Sequence, residues 1–397
     1  MQGKTLILGV TGGIAVYKVP ELISRLRKKG LKVEVIMTKA AAEFVTPLTF
    51  REVSHNQVHL EMFQADFKYE VEHISLAKKA DLVAVIPATA NLIGKVANGI
   101  ADDLLTTTIM ATRAPKLIAP AMNTGMYENP IFQRNLQILK EYEYQIVAAE
   151  QGELLCGDYG AGRLARLEEL ELQIARLLTF PTLVGEVVLV TAGGTREPLD
   201  PVRYLGNRSS GKMGHALALA AWQRGAKVYL VTTALNHPQV SGLNVFKVET
   251  AAEMGAKVLE LATQASIVIK AAAPADFRPV KAVEEKIKKE QAKLELSLAL
   301  NPDILALLGA QKQPGQLLIG FAAETSNLME NAKSKLQNKN LDMIIGNLVN
   351  LPGLGMEVDR NQVTIYSERE TISLPENSKE RLAEEILEYI IKYKGKS

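Results

Sequence analysis

Apolar residues along this chain come in two spacings, and the alternation between them sets the expected fold. Residues 4–10, KTLILGV, are apolar almost without a break, which is the pattern of a strand buried on both faces. Gly12-Gly13 then turns the chain, and residues 14–30, IAVYKVPELISRLRKKG, carry the 3.6-residue spacing of an amphipathic helix ending at Gly30. Pro20 either kinks that helix or delays its start. Further buried strands are predicted at 32–37, 82–87, 116–120 and 144–149, separated by helical stretches. Strands divided by helices imply βαβ units and a parallel sheet covered on both sides.

Around 179–195 the pattern starts again. A strand runs into two glycines, a long polar loop follows, and a helix begins near residue 215. More strands are expected at 227–232, 244–248, 266–271, 317–322 and 341–346. QVTIYS against TISLP predicts a hairpin, and SKERLAEEILEYIIKYK a closing helix. Residues 281–300 read as a charge-rich insertion. Two strand-then-diglycine openings predict α/β architecture with two doubly wound, Rossmann-like domains, 1–180 and 181–397.

Composition narrows the function classes. A net charge of +2 over 397 residues gives no case for nucleic-acid binding. No run of 18 or more apolar residues occurs, so no membrane span is expected. The apolar start breaks at Thr11-Gly12-Gly13 without a cleavage site, which argues against a signal peptide. The single cysteine, Cys156, forms no internal disulfide, and a reducing cytoplasm is the expected compartment. It stands in a loop, QGELLCGDYGAGRL, among four glycines, not in an apolar strand where a structural cysteine would be expected.

Several stretches offer chemistry. In GVTGGIA, a strand, a glycine turn and a helix start aim backbone N–H groups at one point, and Thr11 adds a hydroxyl. The motif departs from G-x-G-x-x-G, and a plain tight turn is the alternative. Hydroxyl- or amide-rich strand ends at Thr38, PATAN (87–91) and TTT (106–108) favour a phosphorylated, ring-bearing mononucleotide. His73 stands near a helix start, where a lone histidine is more often structural than functional. In PAMNTGMYENP, Asn123 is either part of an ordinary loop or an amide placed to bind a carboxylate or carbonyl. In the second half, TAGGTREPLDPVRYLGNRSSGKMG with Lys212 suits phosphates, and Asp276 past a strand end suits Mg2+ or a ribose. Lys286, Lys288 and Lys289, and the i,i+4 pair Lys335 and Lys339, are equally consistent with solvated helix faces.

His73, PAMNTGM and GELLCGDYGAGR resemble the flavin-containing cysteine decarboxylases. With the second half, nearly the whole chain resembles the bacterial bifunctional coenzyme A biosynthesis enzymes, in which phosphopantothenoylcysteine decarboxylase is fused to phosphopantothenate–cysteine ligase. The resemblance implies a flavodoxin-like flavoprotein domain at 1–180 and a ligase domain at 181–397. It implies FMN, with its phosphate at Thr11, Gly12, Gly13 and Ile14 and its ring near Thr38, Ala88, Thr89 and Thr106. It implies His73 as a base, Asn123 and Met126 on the substrate, and Cys156 as a proton donor on a closing flap. A simple β-thiol carboxylate gives a carbanion with no electron sink, so the thiol is first oxidised, CO2 leaves, and the product is then reduced.

For the ligase half the resemblance implies 4′-phosphopantothenate, cysteine, CTP and Mg2+. Ala271, Ala272, Asp276, Lys286, Pro302, Asp303, Ile304, Leu305, Phe321, Lys335 and Lys339 would bind CTP, with Asp276 at the metal. Lys286 would be the essential lysine, and Arg203 and Asn207 would meet the acyl-cytidylate. Leu300 and Leu348 stand where the family pattern has a polar or basic residue and an aspartate, respectively. Trimers of the flavin domain and dimers of the ligase domain are implied, hence a homo-oligomer up to a dodecamer. Three alternatives fit less well. A non-catalytic flavoprotein would not need His73, Asn123 and Cys156 together. A dehydrogenase would show G-x-G-x-x-G with a ribose-binding acid about 20 residues on. A flavin prenyltransferase would explain neither the cysteine loop nor the second half.

Overall fold

A computed structural model describes residues 1–63, 71–155, 157–234, 236–237, 240–288, 295–324, 327–348, 355 and 357–395. The chain divides into two compact units, Met1–Phe180 and Pro181–Ser397.

The first unit is built on a six-stranded parallel sheet. Its strands are β1 Thr5–Val10, β2 Lys32–Met37, β3 Val58–His59, β4 Leu82–Ala88, β5 Lys116–Pro120 and β6 Gln145–Ile146. Their order is β3-β2-β1-β4-β5-β6. The helices are α1 Val19–Lys28, α2 Lys39–Ala42, α3 Pro47–Ser54, α4 Glu72–Lys79, α5 Ala90–Ala97, α6 Leu104–Ala111, α7 Thr124–Tyr127, α8 Pro130–Glu141 and α9 Leu167–Leu178. The unbroken apolar run of β1 follows from burial on both sides. Leu6, Leu8 and Val10 pack with Leu22 and Leu26 of α1 and Leu170 and Ile174 of α9. Ile7 packs with Leu92 of α5, Leu105 of α6 and Phe132 of α8. Each such side chain taken out of water contributes about 1.5–3 kcal/mol.

Pro20 delays the first helix and does not kink it. Ile14–Lys18 forms a 3-10 turn, and Pro20 sits in the first turn of α1, where its missing N–H removes no hydrogen bond. The strand expected at 144–149 shortens to two residues. The cysteine loop departs most from expectation. Residues β7 Glu150–Glu153 and β8 Tyr159–Arg163 form an antiparallel ribbon joined by a turn in which Gly157 N donates to Leu154 O at 2.9 Å. Glycines and charges hid this ribbon, because its strands lack the apolar alternation that marks a sheet with a buried face.

The second unit has an eight-stranded sheet of β9 Val187–Ala192, β12 Lys227–Thr232, β13 Asn244–Lys247, β14 Ile267–Lys270, β17 Leu317–Glu324, β18 Met343–Leu348, β19 Arg360–Ser367 and β20 Thr371–Ser378. The order is β13-β12-β9-β14-β17-β18-β19-β20, parallel through β18 and antiparallel for the tail hairpin β19–β20. Two small ribbons stand apart, β10 Arg196–Pro198 with β11 Tyr204–Gly206, and β15 Phe277–Pro279 with β16 Leu298–Leu300. The helices are α10 Lys212–Gln223, α11 Ala251–Ala262, α12 Ile304–Ala310, α13 Leu328–Asn338 and α14 Lys379–Lys394. Within the 281–300 insertion, residues 289–294, with Lys289, lie outside the described residues. Val283 N bonds to Leu199 O at 3.0 Å, which ties the insertion to the polar loop after β9. In both units the strand order reverses beside the first strand, so the carboxyl ends of β1 and β4, and of β9 and β14, flank a crevice.

Candidate active sites

In the first unit a cavity of about 490 Å3 opens at the carboxyl ends of β1, β2 and β4. Such volumes suit a small cofactor. Thr11, Gly12, Thr38, Thr89, Met126 and Asn91 of PATAN line it, together with Lys39 and Lys95, which the sequence reading did not single out. Gly12 is dictated by close approach: a Cβ there would lie 2.4 Å from Ala40 Cβ. The free backbone at the start of the 3-10 turn is what remains to meet an anion, since its first N–H groups have no partner one turn earlier.

The threonines divide by task. Thr11 is 1% exposed; its hydroxyl donates to Pro87 O at 2.7 Å and accepts from Thr89 N at 2.9 Å. It is a strut between the ends of β1 and β4, with its only proton already given. Thr38 and Thr89 accept from the N–H groups of Ala41 and Leu92 as helix caps, so their hydroxyl protons face elsewhere. Thr106 is buried, forms a capping box with Asp103 and does not line the cavity. Ala88 is fully buried within β4. Ile14 is half exposed.

The ribbon lies on the loop after β5. Met122 N donates to Gly162 O at 2.9 Å, and Asn123 Nδ2 donates to Asp158 Oδ2 at 2.8 Å. Asn123 Oδ1 accepts from Gly125 N at 2.8 Å, capping α7. Gly162 is required here: its φ is +137°, and a Cβ would lie 2.2 Å from Met122 O. Two motifs 35 residues apart in sequence thus dock by hydrogen bonds. Cys156 itself lies outside the described residues, while Leu155 and Gly157 on either side are described. His73 is the second residue of α4 and does not line the cavity; its Nδ1 is buried and has no hydrogen-bond partner among the described residues.

In the second unit a cavity of about 150 Å3 sits at the carboxyl ends of β14, β17 and β18, against the start of α10. Ala271, Ala272 and Phe321 line it, as do Lys212, Lys270, Asn347, Asn361 and Lys379, of which Lys270, Asn347, Asn361 and Lys379 went unremarked in the sequence. Burial pushes the Lys270 ammonium down to about 8, Lys339 and Lys335 push the same way, and Asp303 and Asp276 oppose them. Lys270 is therefore the point around which four of the expected CTP residues gather. Burial and the neighbouring Lys212 likewise hold Lys379 at about 8.

Several of the remaining expected residues are already engaged elsewhere, and none of them lines the cavity. Asp303 caps α12 through Ala306 N at 3.0 Å and meets Lys339 at 2.6 Å; Lys335 meets Glu324 at 2.6 Å. Ile304 and Leu305 pack into the core, so α12 can present only backbone at its start, beside exposed Pro302. Asn207 Nδ2 donates to Ala273 O at 3.3 Å and Pro274 O at 3.0 Å, pinning the polar loop to the end of β14. That use competes with donation to a ligand carbonyl. Arg203 Nη2 donates to Ile287 O at 3.2 Å, and Lys286 next to it is exposed, outside the cavity lining. Leu300 is exposed at the end of β16, and Leu348 ends β18. Among the described residues no three His, Cys, Asp or Glu side chains converge as a metal site. Mg2+ at Asp276 would therefore depend on phosphate oxygens, as Mg2+ commonly does. Among the same residues no helix is long and apolar enough to cross a membrane.

Residues 1–179 match the flavoprotein family, and residues 183–393 match the DNA/pantothenate metabolism flavoprotein C-terminal domain. A coenzyme A biosynthesis bifunctional protein CoaBC of Bacillus subtilis is 45% identical over 371 residues, covering 92% of this chain and 91% of the relative. The CoaBC protein of Escherichia coli is 43% identical over 370 residues, with 92% and 91% covered. The chain belongs to the family of coenzyme A biosynthesis bifunctional proteins. This family joins a phosphopantothenoylcysteine decarboxylase to a phosphopantothenate–cysteine ligase. A crystal structure of a CoaBC C-terminal domain is also similar, at 38% identity and a TM-score of 0.47, covering 55% of this chain and all of that one.

Within the family frame, the residues missed by the sequence reading have signals in hindsight. Lys270 closes an otherwise apolar strand, SIVIK, and a cation at the end of a buried strand is seldom idle. Lys379 opens an amphipathic helix but falls on its buried side, at 3% exposure.

Proposed function

We propose that the second unit condenses 4′-phosphopantothenate with cysteine at the expense of CTP, and that the first unit converts the product to 4′-phosphopantetheine and CO2 with FMN. Family membership supports both activities. One structural observation carries the decarboxylase assignment: the hairpin flanking Cys156 is docked on the loop that presents Asn123. The Asn123 amide, which this reading assigns to the substrate carboxylate, already meets a carboxylate, that of Asp158.

The first cavity fits a flavin mononucleotide by its volume, its glycine-walled floor at Gly12 and the cations Lys39 and Lys95 on its rim. FMN held there supplies the hydride acceptor and donor that decarboxylation of a β-thiol carboxylate requires. The backbone of Gly12, Gly13 and Ile14 would hold its phosphate, and Thr38 and Thr89 would flank its ring. His73, whose Nδ1 has no partner among the described residues, takes a proton from the substrate. The Cys156 Sγ–H returns a proton to the product; an ordinary thiol, with pKa about 8.5, still holds its proton at neutral pH. A homo-oligomer fits the half-exposed apolar side chains Ile14, Tyr17 and Met126 beside this cavity.

In the ligase half, a carboxylate oxygen of 4′-phosphopantothenate attacks the α-phosphorus of CTP, and the bond to pyrophosphate breaks. The cysteine amine then attacks the acyl carbon, loses a proton, and CMP departs. Negative charge grows on phosphate and carbonyl oxygens in both steps, which fixed ammonium groups and Mg2+ offset. Lys212, Lys270 and Lys379 converge on the second cavity and suit the triphosphate. Lys286 and Arg203, on the tied 199–203 and 283–287 segments, suit the acyl-cytidylate.

The test takes the halves separately. Cys156→Ser should bind FMN and release CO2 yet fail to yield phosphopantetheine; full product at the wild-type rate refutes the role given to the hairpin. Mixing 4′-phosphopantothenate, cysteine, CTP and Mg2+ should yield pyrophosphate and CMP. Turnover with ATP and none with CTP refutes the nucleotide assignment.

A further inference from the structure

His59 is the last residue of the two-residue edge strand β3 and is 9% exposed, a burial rarely given to a histidine without partners. Its Nδ1 bonds to Glu72 Oε1, and its Nε2 stands 3.8 Å from Glu34 Oε2 on β2. A carboxylate at each ring nitrogen asks for an N–H on both, which only the imidazolium has. Glu34 in turn takes Lys79 Nζ at 3.1 Å. Glu72 and Lys79 are the first and last residues of α4, so the chain Glu72–His59–Glu34–Lys79 laces both ends of that helix to the sheet edge. The N-cap residue of α4 is Val71, which makes no capping bond, so the His59–Glu72 contact takes over the anchoring of the first turn. His73 directly follows Glu72 in that turn. Leu60, directly after His59, lines the 490 Å3 cavity.

We propose that His59 is a positioning residue for His73: its imidazolium, clasped between Glu34 and Glu72, fixes the first turn of α4 and with it the direction of the His73 ring. The inference rests on the reading of His73 as the base. Charge and burial agree with the geometry. Burial works against the imidazolium, yet its contacts to the accepting carboxylates of Glu34 and Glu72 outweigh it and raise the His59 pKa, while His59 and Lys79 hold Glu34 below the usual carboxylate range against its own burial. Among the described residues, Glu34, Glu72 and Lys79 are the charged groups of β2 and α4 that enter this network. A raised histidine pKa means that the clasp is complete below the ordinary value and is lost as pH rises through the folded one. His73 as a base has the opposite demand and must be unprotonated to act.

The experiment compares His59→Gln and His59→Lys in the FMN-loaded full chain. His59→Gln should lower decarboxylation kcat on the order of tenfold with KM unchanged, because a displaced base costs rate more than binding. It should also erase the alkaline limb that His59 contributes to the kcat–pH profile. His59→Lys keeps a cation between the two carboxylates; it should restore kcat and move that limb upward. With only five histidines in the chain, ring-nitrogen NMR can follow each one. The His73 signals should respond to the titration of His59 in the wild type and lose that response in His59→Gln. Unchanged kcat and unchanged His73 signals in His59→Gln overturn the proposal. So does a loss of kcat that tracks a fall in Tm and is not rescued by lysine. Full activity in His73→Asn would instead remove the reading of His73 as the base, and the two failures are thereby told apart.

Discussion

Replacing Thr11 by valine keeps the shape of a buried side chain and deletes one oxygen. That oxygen holds the ends of β1 and β4 together, through Pro87 O at 2.7 Å and Thr89 N at 2.9 Å. Valine breaks both bonds and leaves the Thr89 N–H against a methyl group, while Pro87 O keeps only the longer bond from the Thr11 N–H at 3.3 Å. Two hydrogen bonds at about 1 kcal/mol each, plus about 1–2 kcal/mol for a stranded amide, cost the first unit about 3–4 kcal/mol. At an ordinary slope of about 2–3 kcal/mol per molar urea, its unfolding midpoint falls by about 1–2 M. Circular dichroism of the full chain follows this transition. Trp222, the only tryptophan and buried in the second unit, reports that unit separately by fluorescence. The hydroxyl proton is already committed to Pro87, so FMN titration in the absence of urea should show a loss of affinity of less than about tenfold, roughly the worth of one weak contact. Thr11→Ser should recover most of the stability. If Thr11→Val unfolds at the wild-type urea concentration and yet binds FMN a hundredfold more weakly, Thr11 is a phosphate ligand and the strut argument is wrong.

Gly162→Ala places a methyl 2.2 Å from Met122 O at a φ of +137°, so the ribbon must lift from the Asn123 loop; protease cleavage within 150–163 should speed up on the order of tenfold, as local opening becomes cheaper by more than about 1.4 kcal/mol. Lys270→Met removes a half-buried ammonium whose pKa is lowered to about 8: KM for CTP should rise about tenfold or more, while the second unit should be no less stable below pH 8, because a costly charge has gone. His215 stacks on His237 with ring centroids 3.9 Å apart, and burial together with His237 lowers it to about 4. The second unit should therefore hold its full stability above the ordinary histidine value and lose about 3 kcal/mol as pH falls from about 6.5 to 4, a loss visible in the Trp222 urea midpoint. His215→Asn should flatten that slope; an unchanged slope refutes the assignment.

The sequence by itself determined the two-domain α/β plan, because a strand buried on both faces must be apolar at successive positions, and runs such as TLILGV and VVLVTA say so without reference to anything distant. It also marked the motifs to which the proposed chemistry is assigned, since His73, Asn123 and Cys156 stand out by residue type and setting, and the resemblance follows from their order. What only the tertiary structure decided is which polar groups are already engaged. Thr11 and Asn207 look like ligands in sequence, and their donors meet carbonyls at the ends of β4 and β14. Ile304 and Leu305 adjoin a ligand-like Asp-capped turn and turn inward, as the helix period requires. Lys270 and His59 stayed silent in the sequence for the opposite reason. Each depends on groups from other strands and helices, Asp303 and Lys339 for one and Glu34 and Glu72 for the other. Hydrophobic burial is a local property that each residue announces by its own chemistry. Hydrogen bonds and ion pairs belong to partners far apart along the chain, and only the folded structure brings them together.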